Sequence, residues 1–152
     1  MDRDVSKVID RTALIENLLN QVIVNFTAPR KDAFPFFWDI LLDSSIMPLG
    51  SKVKVAMAIS QKVNVKMKRD SLHKILSYRN TFAHHNLNSH PTLAVGKTPD
   101  DDKAFYSLQV IKNSGKTERK SREAALEEFN KHFDIAKETL VELLDAVGKN
   151  GA

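Results

Sequence analysis

The 152-residue chain contains no cysteine, which excludes disulfide bonds, thiolate metal sites and cysteine nucleophiles. It also lacks a glycine-rich phosphate loop, so hydrolysis of nucleoside triphosphates is unsupported. The longest uncharged apolar run, residues 55–59, is far too short to cross a bilayer, and the charged N-terminus leads into a helical pattern rather than a signal peptide. These absences predict a cytoplasmic protein with no membrane partner. Its length predicts a single domain over residues 1–152.

Helical periodicity covers most of the sequence. Apolar residues recur at three- and four-residue spacing over 4–27, from about 32 to the Pro48-Leu49-Gly50 turn, over 51–63, and from a start between Lys66 and Asp70 to residue 85. In the second of these we expect Phe36, Phe37, Ile40 and Leu41 to be buried. Ser51 is the expected N-cap of the third helix.

A long final helix follows, with Ser121 as its N-cap and Gly148 just past its end. Before it, residues 86–103 look like a polar, turn-rich loop, and residues 104–120 predict a β-hairpin around Asn113-Ser114-Gly115. The expected fold is therefore mainly α: an up-and-down bundle of about five helices with a β-hairpin insertion before the last helix. A disordered tail is expected over about 149–152.

One arginine stands out on the fourth helix. Leu72, Ile75, Leu76, Phe82 and Ala83 predict an inward-facing stripe, and Arg79 falls on the same face. An arginine is rarely buried without a partner, because stranding its charge in a core costs several kcal/mol. Its position therefore calls for a counter-ion, a polar cavity or a second chain.

Positive charge is concentrated around this helix. The whole chain has a formal net charge of +4, but residues 51–90 carry eight lysines and arginines against the single Asp70, a net charge of +7. Such a field attracts an anionic ligand, although a run of lysines is often only a solvated face. The candidate RNA-binding residues are Lys66, Lys68, Arg69, Lys74 and His85.

The segment Arg79-Asn80-Thr81-Phe82-Ala83-His84, which closes this helix, resembles the signature of HEPN domains (higher eukaryote and prokaryote nucleotide-binding). That signature is Arg-x-x-x-x-His, often with Asn after the arginine and Ala before the histidine. The upstream Ile46–Ser51 segment resembles the mannitol-operon-repressor-like branch, where a similar Pro-Leu-Gly turn precedes the motif. The resemblance is sharp over residues 45–85 and architectural elsewhere.

The resemblance implies metal-independent RNA cleavage, with no cofactor, by a homodimer formed through the motif helix. Attack of a ribose 2′-hydroxyl on the adjacent phosphate would leave a 2′,3′-cyclic phosphate. His84 would be the acid–base group, Arg79 would stabilise the phosphoryl charge, and Asn80 would orient His84 or bind phosphate. The expected setting is a toxin–antitoxin or anti-phage system, with a cognate antitoxin or regulatory protein as a candidate partner.

Arg79 and His84 also have structural interpretations. Arg79 would be purely structural if it paired with Glu16, Asp39 or Asp43. His84 would also be structural if it were only a C-terminal helix residue that interacts favourably with the helix dipole. Because residues five apart lie about 140° around a helix, Arg79 and His84 would converge only if the helix loosened near its end or across a dimer axis.

Two further alternatives concern function. His84, His85 and His90, with His73, suggest zinc, but they lack a recognised ligand spacing, so no metal is expected. The rival functional class is a non-catalytic regulatory or partner-binding protein of the mannitol-repressor-like type. A monomeric, purely structural bundle is a third.

Overall fold

A computed structural model describes residues 3–85, 90–94, 103–111 and 115–150. It is a mainly helical bundle, as the periodicity predicted. No helix in the described part is long and apolar enough to span a membrane. The helices are α1 (Arg3–Thr27), α2 (Phe34–Phe36), which continues as a π-helical turn (Phe37–Leu41), α3 (Leu49–Lys62), α4 (Arg69–His85) and α5 (Arg122–Asn150); the strands are β1 (His90–Ala94), β2 (Lys103–Ile111) and β3 (Thr117–Ser121).

The core lies between α1 and α5, which pack along much of their length, and it is closed by α3 and α4. Each helix contributes apolar side chains at three- and four-residue spacing, so that one face of the helix is buried. On α1 and α5 the fully buried positions include Val8, Ile15, Leu19, Phe129, Ala136 and Leu140.

On α4 the buried face is formed by Leu72, Ile75, Tyr78 and Phe82. The expected stripe is therefore wrong at its edge, because Ala83 and Arg79 are exposed. The inward face is centred nearer Tyr78, which tilts Arg79 out toward solvent. The arginine is consequently not a buried charge.

The segment between α1 and α3 also departs from expectation. It forms only one α-turn before the π-helical turn, and Phe36, Ile40 and Leu41, which we expected to be buried, are exposed. Only Phe37 of that set packs partly against the core, together with Trp38. Residues 34–41 therefore leave an apolar surface uncovered.

Helix ends were predicted with mixed success. Ser121 does cap α5, because its hydroxyl accepts a hydrogen bond from the Ala124 backbone N–H at 3.1 Å. The N-cap of α3 is Pro48 rather than Ser51, and α5 continues past Gly148 to Asn150. The last two residues of the expected tail lie outside the described part.

The three strands form an antiparallel sheet in the order β1-β2-β3. Strand β1, His90–Ala94, lies in a stretch that we read as loop, and it pairs with Lys103–Ser107 of β2. The other edge of β2 pairs with β3, with Ile111 opposite Thr117. The predicted turn residues Asn113 and Ser114 lie outside the described residues.

Candidate functional site

Three helices surround a cleft of about 340 Å³ beside Arg79. Helix α1 contributes the polar side chains Thr12 and Glu16, the start of α3 contributes backbone around Gly50, and α4 contributes Arg79 and Asn80. Apolar side chains complete the walls: Ile9, Ala13, Pro48, Leu49 and Leu76. The volume is in the range of small-molecule sites.

Arg79 presents its charge to this cleft. It is exposed, and its guanidinium Nη1 donates a hydrogen bond of 3.3 Å to the side-chain oxygen of Asn80. Among the described residues it forms no ion pair with Glu16, Asp39 or Asp43, the three carboxylates that sequence reasoning offered as structural partners. Its remaining donors are therefore available to a ligand.

Glu16 is held by two other groups. The Nζ of Lys52, whose side chain is completely buried, lies 2.6 Å from Glu16 Oε1, and the Ser44 hydroxyl donates a 2.7 Å hydrogen bond to the same oxygen. Burial alone would raise the pKa of Glu16. The hydrogen bonds from Lys52 and Ser44, with the positive charges of Lys52 and Arg79, outweigh that effect and lower the pKa. Glu16 is thus an anion at neutral pH.

His84 belongs to the last turn of α4, which continues as helix through His85. The helix therefore does not loosen before His84, so Arg79 and His84 do not converge by that route. Asn80, four residues before His84, shares its face, whereas Arg79 lies about 140° away. The side chains of His84 and His85 lie outside the described part of the structure.

The candidate RNA-binding lysines and Arg69 do not gather around Arg79. Lys66 and Lys68 precede α4 and Arg69 begins it, so Arg69 lies about 15 Å along the helix axis from Arg79, at 1.5 Å per residue. Lys74 is paired with Glu128 at 2.9 Å. The exposed Lys66 and Lys68, together with Arg69, therefore form a basic end of α4, opposite the end that carries Arg79.

A second polar cluster joins α4, α5 and β3. Glu128 accepts hydrogen bonds from Tyr78 at 2.6 Å, from Lys74 at 2.9 Å and from Lys120. Burial opposes ionisation of Glu128, but these three donors outweigh it and lower its pKa to about 2. Burial and the bond to Glu128 raise the pKa of Tyr78 to about 12. The phenol therefore stays protonated, and it acts as a structural hydrogen-bond donor between α4 and α5 rather than as a base.

One corner of this cluster has the composition of a nucleophilic triad. The Ser71 hydroxyl lies 3.0 Å from His132 Nδ1, and His132 Nε2 lies 3.8 Å from Glu128. However, Ser71 is only 5% exposed, so a substrate cannot reach its oxygen. The histidine–glutamate distance also exceeds that of a hydrogen bond. These residues stabilise the α4–α5 contact.

The described residues contain no cluster of three or more potential metal-ligating side chains. Searches of protein-family models, curated proteins and solved structures found no match to this chain. The residues of the cleft are therefore the basis for inferring what it binds.

Sequence reasoning did not anticipate the part of the site formed by Lys52. A signal was present, because Lys52 shares helical spacing with the buried Ala56 and Ile59, and a lysine on such a stripe needs a buried carboxylate. The sequence indicates Glu16 only as a candidate partner for Arg79. The structure assigns it to Lys52 instead.

Proposed function

We propose that this protein is a metal-independent endoribonuclease of the HEPN type, acting in the cytoplasm as a homodimer. Arg79 would bind the scissile phosphate and stabilise its developing charge, Asn80 would hold Arg79 or His84 in orientation, and His84 would transfer the proton. The products would carry 2′,3′-cyclic phosphate and 5′-hydroxyl ends. A toxin or anti-phage effector, restrained by a cognate antitoxin, fits this chemistry.

The observation that carries the proposal is the state of Arg79. A guanidinium that is exposed, faces a cleft of small-molecule size and has no carboxylate ion-paired to it within the described residues is suited to binding a phosphate. The neighbouring Asn80 adds an amide that shares its helix face with His84.

A dimer would supply what one copy of α4 lacks. Within a straight helix Arg79 and His84 diverge by about 140°, so a second α4 packed across a two-fold axis would bring one protomer's arginine toward the other's histidine. The motif helix is exposed at Arg79, Asn80 and Ala83, which leaves this surface open for such pairing.

The test is cleavage of RNA by the purified protein in EDTA, with Arg79→Ala and His84→Ala as variants and Arg30→Ala as a matched surface-arginine control. We expect wild type and Arg30→Ala to cleave and both site variants to be strongly impaired. Cleavage that needs a divalent metal, or that persists in both site variants, would refute the proposal.

The second candidate is a non-catalytic module that binds a protein partner. The observation that favours it is the uncovered apolar surface of residues 34–46, where Phe36 is 59% and Ile46 61% exposed, together with Phe34, Ile40 and Leu41. Contiguous exposed apolar side chains mark protein–protein interaction sites. Residues 32–51 contain three aspartates and no lysine or arginine, so the fitting partner has an apolar face with a basic rim.

This candidate predicts uncut RNA and a stoichiometric complex with such a partner, for example a protein encoded beside it. Phe36→Ser combined with Ile46→Ser should abolish that complex, whereas Val141→Ser, an exposed apolar residue on α5, should not. A complex that survives the double substitution would argue against this surface.

A further inference from the structure

Glu16 has one carboxylate oxygen engaged and one open. Both Lys52 and Ser44 bind Oε1, and within the described part of the chain no group donates to Oε2. The residue lines the same cleft as Arg79 and Asn80, and the Glu16 side chain is 24% exposed. The cleft therefore offers an acceptor as well as the guanidinium donors.

The two charges are kept apart although each acts on the other. Arg79 lies near enough to lower the pKa of Glu16, yet Glu16 forms its ion pair with Lys52. The buried ammonium thus competes successfully for the carboxylate and leaves Arg79 unneutralised. A cleft with this arrangement suits a ligand that carries an anionic group and, beside it, a hydrogen-bond donor.

A ribonucleotide has that arrangement, because its 2′-hydroxyl lies next to its 3′-phosphate. We infer that Glu16 accepts a hydrogen bond from the 2′-hydroxyl of the nucleotide whose phosphate Arg79 binds. Glu16 is then the residue that distinguishes RNA from DNA at this site. The inference rests on the proposed function, because it takes RNA as the ligand.

Lys52 and Ser44 are positioning residues in this scheme. They fix the carboxylate by two bonds to Oε1, so that Oε2 is presented without rotamer loss when the ligand binds. Inorganic phosphate, which has no ribose, gains nothing from Glu16. The arrangement therefore predicts discrimination by the sugar and not by the phosphate.

The experiment is calorimetric titration of the full-length protein with adenosine 3′-monophosphate, its 2′-deoxy analogue and inorganic phosphate, which requires no turnover. The variant is Glu16→Ala with Lys52→Met, which removes the acceptor, avoids an unpaired buried ammonium and leaves the net charge of the cleft unchanged. Glu142→Ala, at an exposed position on α5, is the control. Thermal melts of each protein verify folding.

Wild type and the control should bind the ribonucleotide about tenfold or more tighter than the deoxynucleotide, as expected for one hydrogen bond to a charged acceptor. The double variant should bind both alike and keep its affinity for phosphate. Equal binding of both nucleotides by wild type, no binding of either, or a preference that survives in the double variant would overturn the inference. Sugar discrimination without RNA cleavage would refute only the nuclease proposal, whereas cleavage without discrimination would refute only the role of Glu16.

Discussion

The fully buried ammonium of Lys52 lies 2.6 Å from the carboxylate of Glu16, at the edge of the cleft that contains Arg79. This pair decides which charges the cleft presents. Glu16 is the one carboxylate among the described residues that line the cleft, so without Lys52 it would be free to pair with Arg79 and neutralise the guanidinium. The buried lysine therefore keeps the arginine available.

The pair also predicts an asymmetric effect on stability. Glu16→Ala leaves a buried ammonium without a counter-ion and should lower the free energy of unfolding by about 3–5 kcal/mol. Lys52→Met leaves a partly exposed carboxylate that still accepts a hydrogen bond from Ser44, so this variant should lose less unfolding free energy than Glu16→Ala. The double variant should lie near wild type. Urea denaturation measures all four proteins, and simple additivity of the single losses would contradict the coupling.

Arg79→Ala should reduce single-turnover cleavage of RNA by about 10²–10³-fold, the usual loss when one preorganised charge stabiliser is removed. Because Arg79 is exposed, the melting temperature of the Arg79→Ala variant should stay close to that of wild type. Arg30→Ala, at another exposed arginine, provides the reference. A similar loss of activity in both variants would remove the special role of Arg79.

The basic end of α4 should behave differently from the cleft. Lys66→Ala and Lys68→Ala remove exposed charges far from Arg79, so each should weaken RNA binding uniformly across sequences and lower the salt slope by about 1. Filter binding at several salt concentrations tests this. An unchanged salt slope would show that RNA does not reach this end of the helix.

Gly50→Leu should obstruct the cleft without unfolding the protein. Gly50 lines the cleft, and a Cβ there would meet nothing within 4 Å. Gly50 is the second residue of α3, and leucine has a higher helix propensity than glycine. We expect weaker binding of nucleotides and RNA with a melting temperature equal to or above that of wild type, while Gly148→Leu on α5 should leave binding unchanged. Undiminished binding by Gly50→Leu would place the ligand elsewhere.

The Glu128 cluster predicts acid sensitivity. The pKa of Glu128 is lowered in the folded state to about 2 from an ordinary 4.5. Ionised Glu128 therefore contributes fully to the stability of the fold above pH 4.5, and this contribution is lost as the pH falls toward 2. Glu128→Gln should therefore lower stability at pH 7 and flatten the decline between pH 5 and 2. The neighbouring exposed Glu127→Gln serves as the control. Parallel curves for wild type and Glu128→Gln would contradict this assignment.

Periodicity was sufficient to predict the helical bundle, because α1, α4 and α5 each carry a regular apolar face. It failed over residues 34–41, where a three-residue α-helix passes directly into a π-helical turn and both Phe36 and Ile40 are exposed. The pattern also located Arg79 on the correct helix, but spacing alone could not resolve the inward face from its edge. The contact between Lys52 and Glu16 spans 36 positions along the chain, and no local pattern encodes such a pairing.

The decisive measurement for the proposed nuclease is the rate of RNA cleavage in EDTA by wild type and by His84→Ala. We expect wild type to cleave RNA and leave 2′,3′-cyclic phosphate ends, and we expect His84→Ala to lose that activity while keeping its fold. Equal rates for the two proteins, or no metal-independent cleavage by wild type, would contradict the proposal.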